Sequence, residues 1–166
     1  DDHVTRRTRR DYKLFRRMKP GDRYPDALKL AEEHEEKLFE ARLLELQADG
    51  QAPAEGTKEW KKLRAQFVPP YDRSNFLDKW RKLYPDQPSW TVPAHLGKDS
   101  YSHIHYDSDQ ARMITPREAA RLQSFPDAFV FEGTMGDCFR QIGNAVPPLL
   151  AKALANQLLE SLRRSG

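Results

Sequence analysis

A run of leucines near the end of the chain constrains its fold most. Leu150, Leu154, Leu158 and Leu162 recur every fourth residue, backed by Ala151, Ala155 and Leu159. At 3.6 residues per turn they form one strongly apolar stripe on a helix starting near Pro147-Pro148, and such a stripe must be covered. The rest of the chain offers little to cover it with. Of its 166 residues, 38% are hydrophobic and 32% charged. That composition predicts a modest core, in one domain or in two small units sharing one, with extended or partner-facing segments. No apolar run approaches the roughly 18 residues of a membrane helix. The single cysteine, Cys138, excludes an internal disulfide framework and fits a reducing cytosol. The chain opens at Asp1 with neither a signal-peptide pattern nor an initiator Met, as expected of a cut-out fragment or a trimmed N-terminus.

Charge is arranged in blocks. Residues 1–23 carry nine Lys/Arg against four Asp, residues 24–48 three against seven Asp/Glu, and residues 58–82 eight against three. Two basic blocks flanking an acidic one can attract a polyanion such as DNA, though solvated surface or a disordered basic arm gives the same pattern.

Local patterns predict the elements. Tyr12, Phe15 and Met18 fall on one face of a short helix that stops at Pro20-Gly21. Residues 25–48 read as one long helix, started by Pro25 or Asp26, with a weak stripe of Ala27, Ala31, Leu38, Ala41, Leu44 and Ala48 and an i,i+4 pair of Glu33 and Lys37. Its acidic surface makes it structural or an insertion. After a loop at 49–57, a helix over 58–67 places Trp60, Leu63 and Phe67 together, and one over 75–84 places Phe76, Trp80 and Leu83 together. Residues 88–106 have β character. Trp90-Thr91-Val92 and Tyr101 to Tyr106 flank a Gly97-Lys98-Asp99-Ser100 turn, with Tyr101, His103 and His105 on one face of the second strand. Thr115-Pro116-Arg117-Glu118 is a capping box, opening a helix to about Gln123 that Phe125-Pro126 ends.

RMITPREAARLQSFPDAF (112–129) followed by RQIGNAVPPLLAKAL (140–154) resembles the last two conserved motifs of the DNA cytosine-5 methyltransferases. DKWRKLYPDQPSWTVPAHLGKDSYSHIHYD (78–107) resembles the end of that family's target-recognition region, and DHVTRRTRRDYKLFRRMKPGDRYPD (2–26) the stretch entering it. Together these cover a little over half of the chain. The resemblance implies an enzyme that flips a cytosine from the duplex, attacks its C6 with a cysteine thiolate and methylates C5 from S-adenosylmethionine. It implies that Asn144, Ala145 and Val146 line the cofactor pocket, with Gly143 permitting the turn. The final helix then packs on the cofactor domain, and Arg117, Glu118 and Asp127 are structural polar contacts bracing the recognition region. Thr91 matches a threonine near the DNA backbone beside the flipped base. Lys98 and Ser100 in the turn, and the basic Arg6, Arg7, Arg9 and Arg10, are the other expected DNA contacts.

The departures are equally informative. The family's nucleophile sits in a Pro-Cys pair, whereas Cys138 follows Asp137 in GDCFRQ and reads as an ordinary buried or semi-exposed thiol. The glycine-rich turn, the Glu-Asn pair that holds the cytosine edge and the arginine-rich strand are missing. His95, His103 and His105 with Cys138 match no standard metal spacing, so no metal site is expected, and the His-x-His is read as facing DNA or a partner. The expected fold is α+β: a small irregular target-recognition domain with short β-strands braced by helices, ending in a helix that packs on the missing cofactor-binding domain. Residues 1–110 form the recognition region, with a helical insertion at about 25–67, and residues 111–166 the final motifs. The expected function is the DNA-recognition part of a DNA (cytosine-5-)-methyltransferase of a restriction-modification system, inactive alone. Its partners would be double-stranded DNA and an N-terminal catalytic half in cis or in trans, in a bacterial cytoplasm or nucleoid. The alternatives are a specificity subunit of a split methyltransferase and a stand-alone DNA-binding module.

Overall fold

A computed structural model describes residues 4–5, 11–72, 74, 79–93, 95–98 and 101–165. Two units emerge: one from residues 6–87 and 101–113, the other from residues 1–5, 88–100 and 114–166. The change at Met113/Ile114 falls close to the sequence boundary at 110/111, while residues 88–100 go with the final motifs.

Among its described residues the first unit holds four helices: α1 (Tyr12–Arg17), α2 (Tyr24–His34), α3 (Glu36–Ala48) and α4 (Lys58–Arg64). Phe15 and Met18 are buried as the spacing predicts, but Leu14 joins them and Tyr12 is exposed. The long helix expected over 25–48 is interrupted at Glu35. No proline or glycine marks that break. A tertiary contact marks it instead: the buried Glu35 carboxylate accepts from Arg17 at 2.6 Å, with Lys13 at 3.9 Å. Beyond the break the buried position of α3 is Phe39, while Leu38 and Leu44 are exposed. Glu33 pairs with Lys29, at 3.9 Å, instead of with Lys37. Helix α4 is capped by Thr57, whose hydroxyl accepts from the Trp60 amide at 3.2 Å. It is tied to α3 by a two-pronged Arg64–Glu36 pair at 2.9 and 2.6 Å.

Aromatic rings dominate this core. Trp80 meets Tyr101 edge-on at 4.9 Å and Phe15 at 5.5 Å, with Tyr24 tilted at 5.9 Å. Residues 79–84 are not helical, against expectation, and residues 75–78 lie outside the described ones. Trp80 takes a left-handed φ of 57°, which a helix cannot contain, and its neighbours pair with the 101–104 segment instead. Arg81 and Leu83 amides donate to Tyr101 and Ile104 carbonyls, each at 2.9 Å. The hairpin expected over 88–106 is likewise not formed by the described residues. Ile104 makes isolated bridges to Lys82 and Met113, not to 90–92. His103 and His105 are buried, so the His-x-His pair does not face outward.

The second unit contains α5 (Pro116–Leu122), α6 (Met135–Asn144) and α7 (Pro148–Ser165). Buried Ala119, Ala120, Phe139 and Ile142 mark the inner faces of α5 and α6. Phe125, Phe129 and Phe131 form a ring cluster with centroids 4.9–5.1 Å apart beyond the end of α5. Helix α7 buries no residue, and its leucines are 47–71% exposed. No helix among the described residues is long and apolar enough to cross a membrane.

Candidate functional site

The site is built from the two helix starts that the sequence marks most clearly. At α5 both capping-box bonds form: the Glu118 amide donates to Thr115 Oγ1 at 3.2 Å, and the Thr115 amide to Glu118 Oε2 at 2.8 Å. Arg117 lies on the inner side of α5 and donates to the Phe129 carbonyl at 2.7 Å, with its guanidinium 5.8 Å from the Phe131 ring. Asp127 pairs with Arg121 at 2.8 and 3.0 Å. These contacts brace the 126–131 loop of this unit.

Helix α6 opens with a second capping box, Thr134-Met135-Gly136-Asp137, which the sequence reading passed over although its Thr-x-x-Asp spacing is the same kind of signal. Asp137 Oδ2 accepts from the Thr134 amide at 2.9 Å and its hydroxyl at 2.6 Å, while Arg140 donates to Oδ1 at 2.6 Å. The Thr134 bonds, with help from Arg140, hold the Asp137 carboxyl below its ordinary value. Gly133 enters the helix at a φ of 99°, and a Cβ there would lie 3.0 Å from the Asp137 side chain, so this position requires glycine.

The 95–98 turn lies on the first turn of α6. A Cβ on Gly97 would stand 3.2 Å from the Gly136 carbonyl oxygen and 3.3 Å from Phe139 Cβ. Beside it is a groove of about 320 Å³ lined by His95, Gly97, Lys98, Thr134, Gly136, Asp137 and Arg140. Lys98 thus stands near the start of α6, whose other end, at Asn144, leads into the turn about 14 Å along the axis at 1.5 Å per residue. Thr91 is exposed. Arg6, Arg7, Arg9, Arg10 and Ser100 lie outside the described residues.

Helix α6 ends at Asn144, and Ala145 leaves it extended, at φ −79° and ψ 146°. The turn is therefore made by Ala145 and the following residues. Gly143 stays in the last helical turn and its φ is not positive, so it does not supply the turn conformation expected of it. Asn144 and Val146 are exposed and Ala145 half-buried. Two residues that the sequence reading did not single out hold the ends of this turn. Gln123 Nε2 donates to the Ile142 carbonyl at 3.2 Å, and Ser124 Oγ accepts from the Leu149 amide at 3.1 Å. Nothing local marks them, since each partner lies 19 or 25 residues away.

The sequence that builds this arrangement is similar to known sequences. The family model described as C-5 cytosine-specific DNA methylase matches residues 9–160. The Oceanobacillus iheyensis protein M.OihORF3336P, named as a type II methyltransferase, is 46% identical over 97% of this chain and 33% of its own length. Type II methyltransferase M.AgeI of Thalassovita gelatinovora is 48% identical over 52% of the chain and 20% of its own length. DNA (cytosine-5-)-methyltransferase M.ApeKI of Aeropyrum pernix is 40% identical over 60% of the chain and 24% of its own length. The chain thus spans a third or less of these curated relatives. No solved structure matches it. With nearly the whole sequence inside the family model, the chain belongs to the C-5 cytosine-specific DNA methylase family.

Proposed function

We propose that this chain is the C-terminal part of a DNA cytosine-5 methyltransferase, carrying the target-recognition region and the last two motifs. It acts with a catalytic half joined to it in cis or supplied in trans. The observation that carries this reading is the α6–turn–α7 segment. An exposed polar turn is followed by an 18-residue helix whose apolar stripe is left exposed among the described residues. A free helix with such a stripe is unfavourable in water, and a partner surface that buries it resolves the conflict.

S-adenosylmethionine, when bound, supplies the methyl group. The residues here fit part of its site: Asn144 presents an exposed amide that can both donate and accept, and Val146 an exposed apolar surface that an adenosyl group can cover. Ala145, in extended conformation, separates the two. Lys98 and the basic residues Arg6, Arg7, Arg9 and Arg10 are assigned to double-stranded DNA, where cations neutralise backbone phosphates, and the Thr91 and Ser100 hydroxyls to hydrogen bonds with the same backbone. The nucleophile is assigned to the other half, because Cys138 is buried on the inner side of α6.

The test is reconstitution. The chain is mixed with, or joined to, an N-terminal catalytic half and assayed for transfer of labelled methyl groups to DNA. Transfer by the pair and none by the chain alone is expected. Absence of transfer in every pairing overturns the enzyme reading and favours a stand-alone DNA-binding module.

A further inference from the structure

We infer that Ser124, together with Gln123, is a positioning residue that sets the cofactor turn; this rests on the reading of the turn before α7 as part of the S-adenosylmethionine site. The turn cannot fasten itself. The Pro147 carbonyl accepts from the Ala151 amide at 2.9 Å, which makes Pro147 the N-cap of α7. A proline N-cap has no side-chain acceptor, and Pro148 after it has no amide hydrogen, so Leu149 carries the first orphan donor of the helix. Ser124 Oγ takes that hydrogen bond at 3.1 Å and so caps α7 from outside the helix. At the other end, the Ile142 carbonyl accepts both from the Ala145 amide, at 3.2 Å, and from Gln123 Nε2, at 3.2 Å. Adjacent residues, with Cα atoms about 3.8 Å apart, thus hold both ends of a segment that could extend to about 24 Å.

The backbone of Ser124 argues that its hydroxyl matters. Helix α5 ends in a complete Schellman motif: the Phe125 amide donates to the Ala120 carbonyl at 2.9 Å, and the Ser124 amide to the Arg121 carbonyl at 2.9 Å. Ser124 is the left-handed residue of this motif, at a φ of 62°. That place suits glycine, which adopts the conformation without penalty. A serine kept there in a strained backbone, with its oxygen spent on a remote helix, serves the turn more than it serves α5.

This distinction gives the experiment. In the reassembled methyltransferase, Ser124→Gly removes the hydroxyl and relieves the backbone at the same time. Expected are an unchanged or raised melting temperature, a five- to tenfold higher KM for S-adenosylmethionine, and a DNA KM and kcat within twofold of the parent. Ser124→Asn tolerates the same backbone and restores an acceptor, and recovers at least half of the loss. Asn144→Ala, measured in parallel, separates the two levels of the argument. If Asn144→Ala raises the cofactor KM and Ser124→Gly does not, the positioning role is wrong. If neither raises it, the cofactor reading of the turn falls and this inference with it. A Ser124→Gly enzyme that melts lower and loses cofactor and DNA affinity alike would also overturn the proposal, because that is the pattern of a merely structural residue.

Discussion

Replacing Lys82 with methionine tests how the first unit is held together. The Lys82 side chain is fully buried, and its ammonium donates to the Phe15 carbonyl at 2.7 Å, the Met18 carbonyl at 2.8 Å and Ser108 Oγ at 2.7 Å. All three of its hydrogens are used. The first two acceptors lie at the end of α1, where a helix leaves carbonyls without partners. Methionine preserves the length and the apolar stem but donates nothing. Ser108 already lies 3.4 Å from the Met18 carbonyl and can turn to serve it, so the Phe15 carbonyl is the one left stranded. A hydrogen bond to a charged group contributes about 1.5–3 kcal/mol, and stranding a buried carbonyl costs about 1–3 kcal/mol. Against that, methionine removes the desolvation cost of a buried ammonium, which offsets part of the loss. The net expectation is a destabilisation of about 2–4 kcal/mol, which for a chain of this size lowers the melting temperature by about 4–16 °C. Thermal and urea unfolding of the parent and Lys82→Met chains, followed by circular dichroism, measure it. A change below about 0.5 kcal/mol, the level of an ordinary surface substitution, would refute the claim that the ammonium ties α1 to the core.

The same residue has a pH signature. Burial pushes the Lys82 ammonium below its ordinary value of 10.5, with Asp22 and Asp107 opposing the shift. Between the lowered folded value and 10.5 the unfolded chain holds more protons, so this group makes stability rise with pH across that window. The pH-linked part of its contribution is largest above 10.5 and disappears as the pH falls through the folded value, below which the ammonium's hydrogen bonds remain. The difference in stability between parent and Lys82→Met should therefore change in the parent's favour over that window. No change there would mean that the ammonium is better solvated than its contacts imply.

Three further outcomes follow from other residues. Thr115→Ala removes the N-cap of α5 and should cost about 1 kcal/mol in urea unfolding, with Thr134→Ala similar at α6. The Asp137 carboxyl, held low by Thr134 and Arg140, contributes stability that is present above its ordinary value of 3.8 and lost as the pH falls through its lower folded value. An acid titration of Asp137→Asn should accordingly lack that part of the acid limb. Leu154→Lys with Leu158→Lys changes only exposed positions, so unfolding of the chain should move by less than about 0.5 kcal/mol, while methyl transfer by the reassembled enzyme should fall at least tenfold.

The legible parts of this structure are those whose cause lies within a few residues. Thr115 and Glu118 are three positions apart, and the helix they start is where the sequence places it. The final helix begins at Pro148 for the same kind of reason, since proline fits the first helical position and little else in a helix. The break at Glu35, the left-handed Trp80 and the pairing of Ile104 with Lys82 and Met113 have no such local cause. Glu35 is held by Arg17, 18 residues away, and Trp80 by rings from Phe15, Tyr24 and Tyr101. Period and propensity favoured helix across both segments, and packing overrode them.

The candidate site shows the same division within one segment. That Pro147-Pro148 starts a helix is written in the two prolines, and so is the fact that this helix cannot cap itself. What supplies the missing acceptor is not written there, because Ser124 lies 25 residues away and reaches Leu149 only once α5 has ended in its left-handed turn. The apolar stripe of α7 poses the matching question at larger scale. A helix in isolation gains too little from its own hydrogen bonds to be secure at 18 residues, and the side chains that would stabilise it through burial are exposed in this chain. Four leucines, each contributing about 1.5–3 kcal/mol when fully buried and each more than half exposed here, leave on the order of 4–7 kcal/mol available to whatever covers them. That is the scale of a stable folding unit, and a tight association needs more than this one helix to overcome its own entropic cost. The exposed Val130 and Phe129 beyond α5 lie in the same unit as α7 and offer additional apolar area for a partner. A partner that buries both would gain affinity from surface that the chain itself leaves in water.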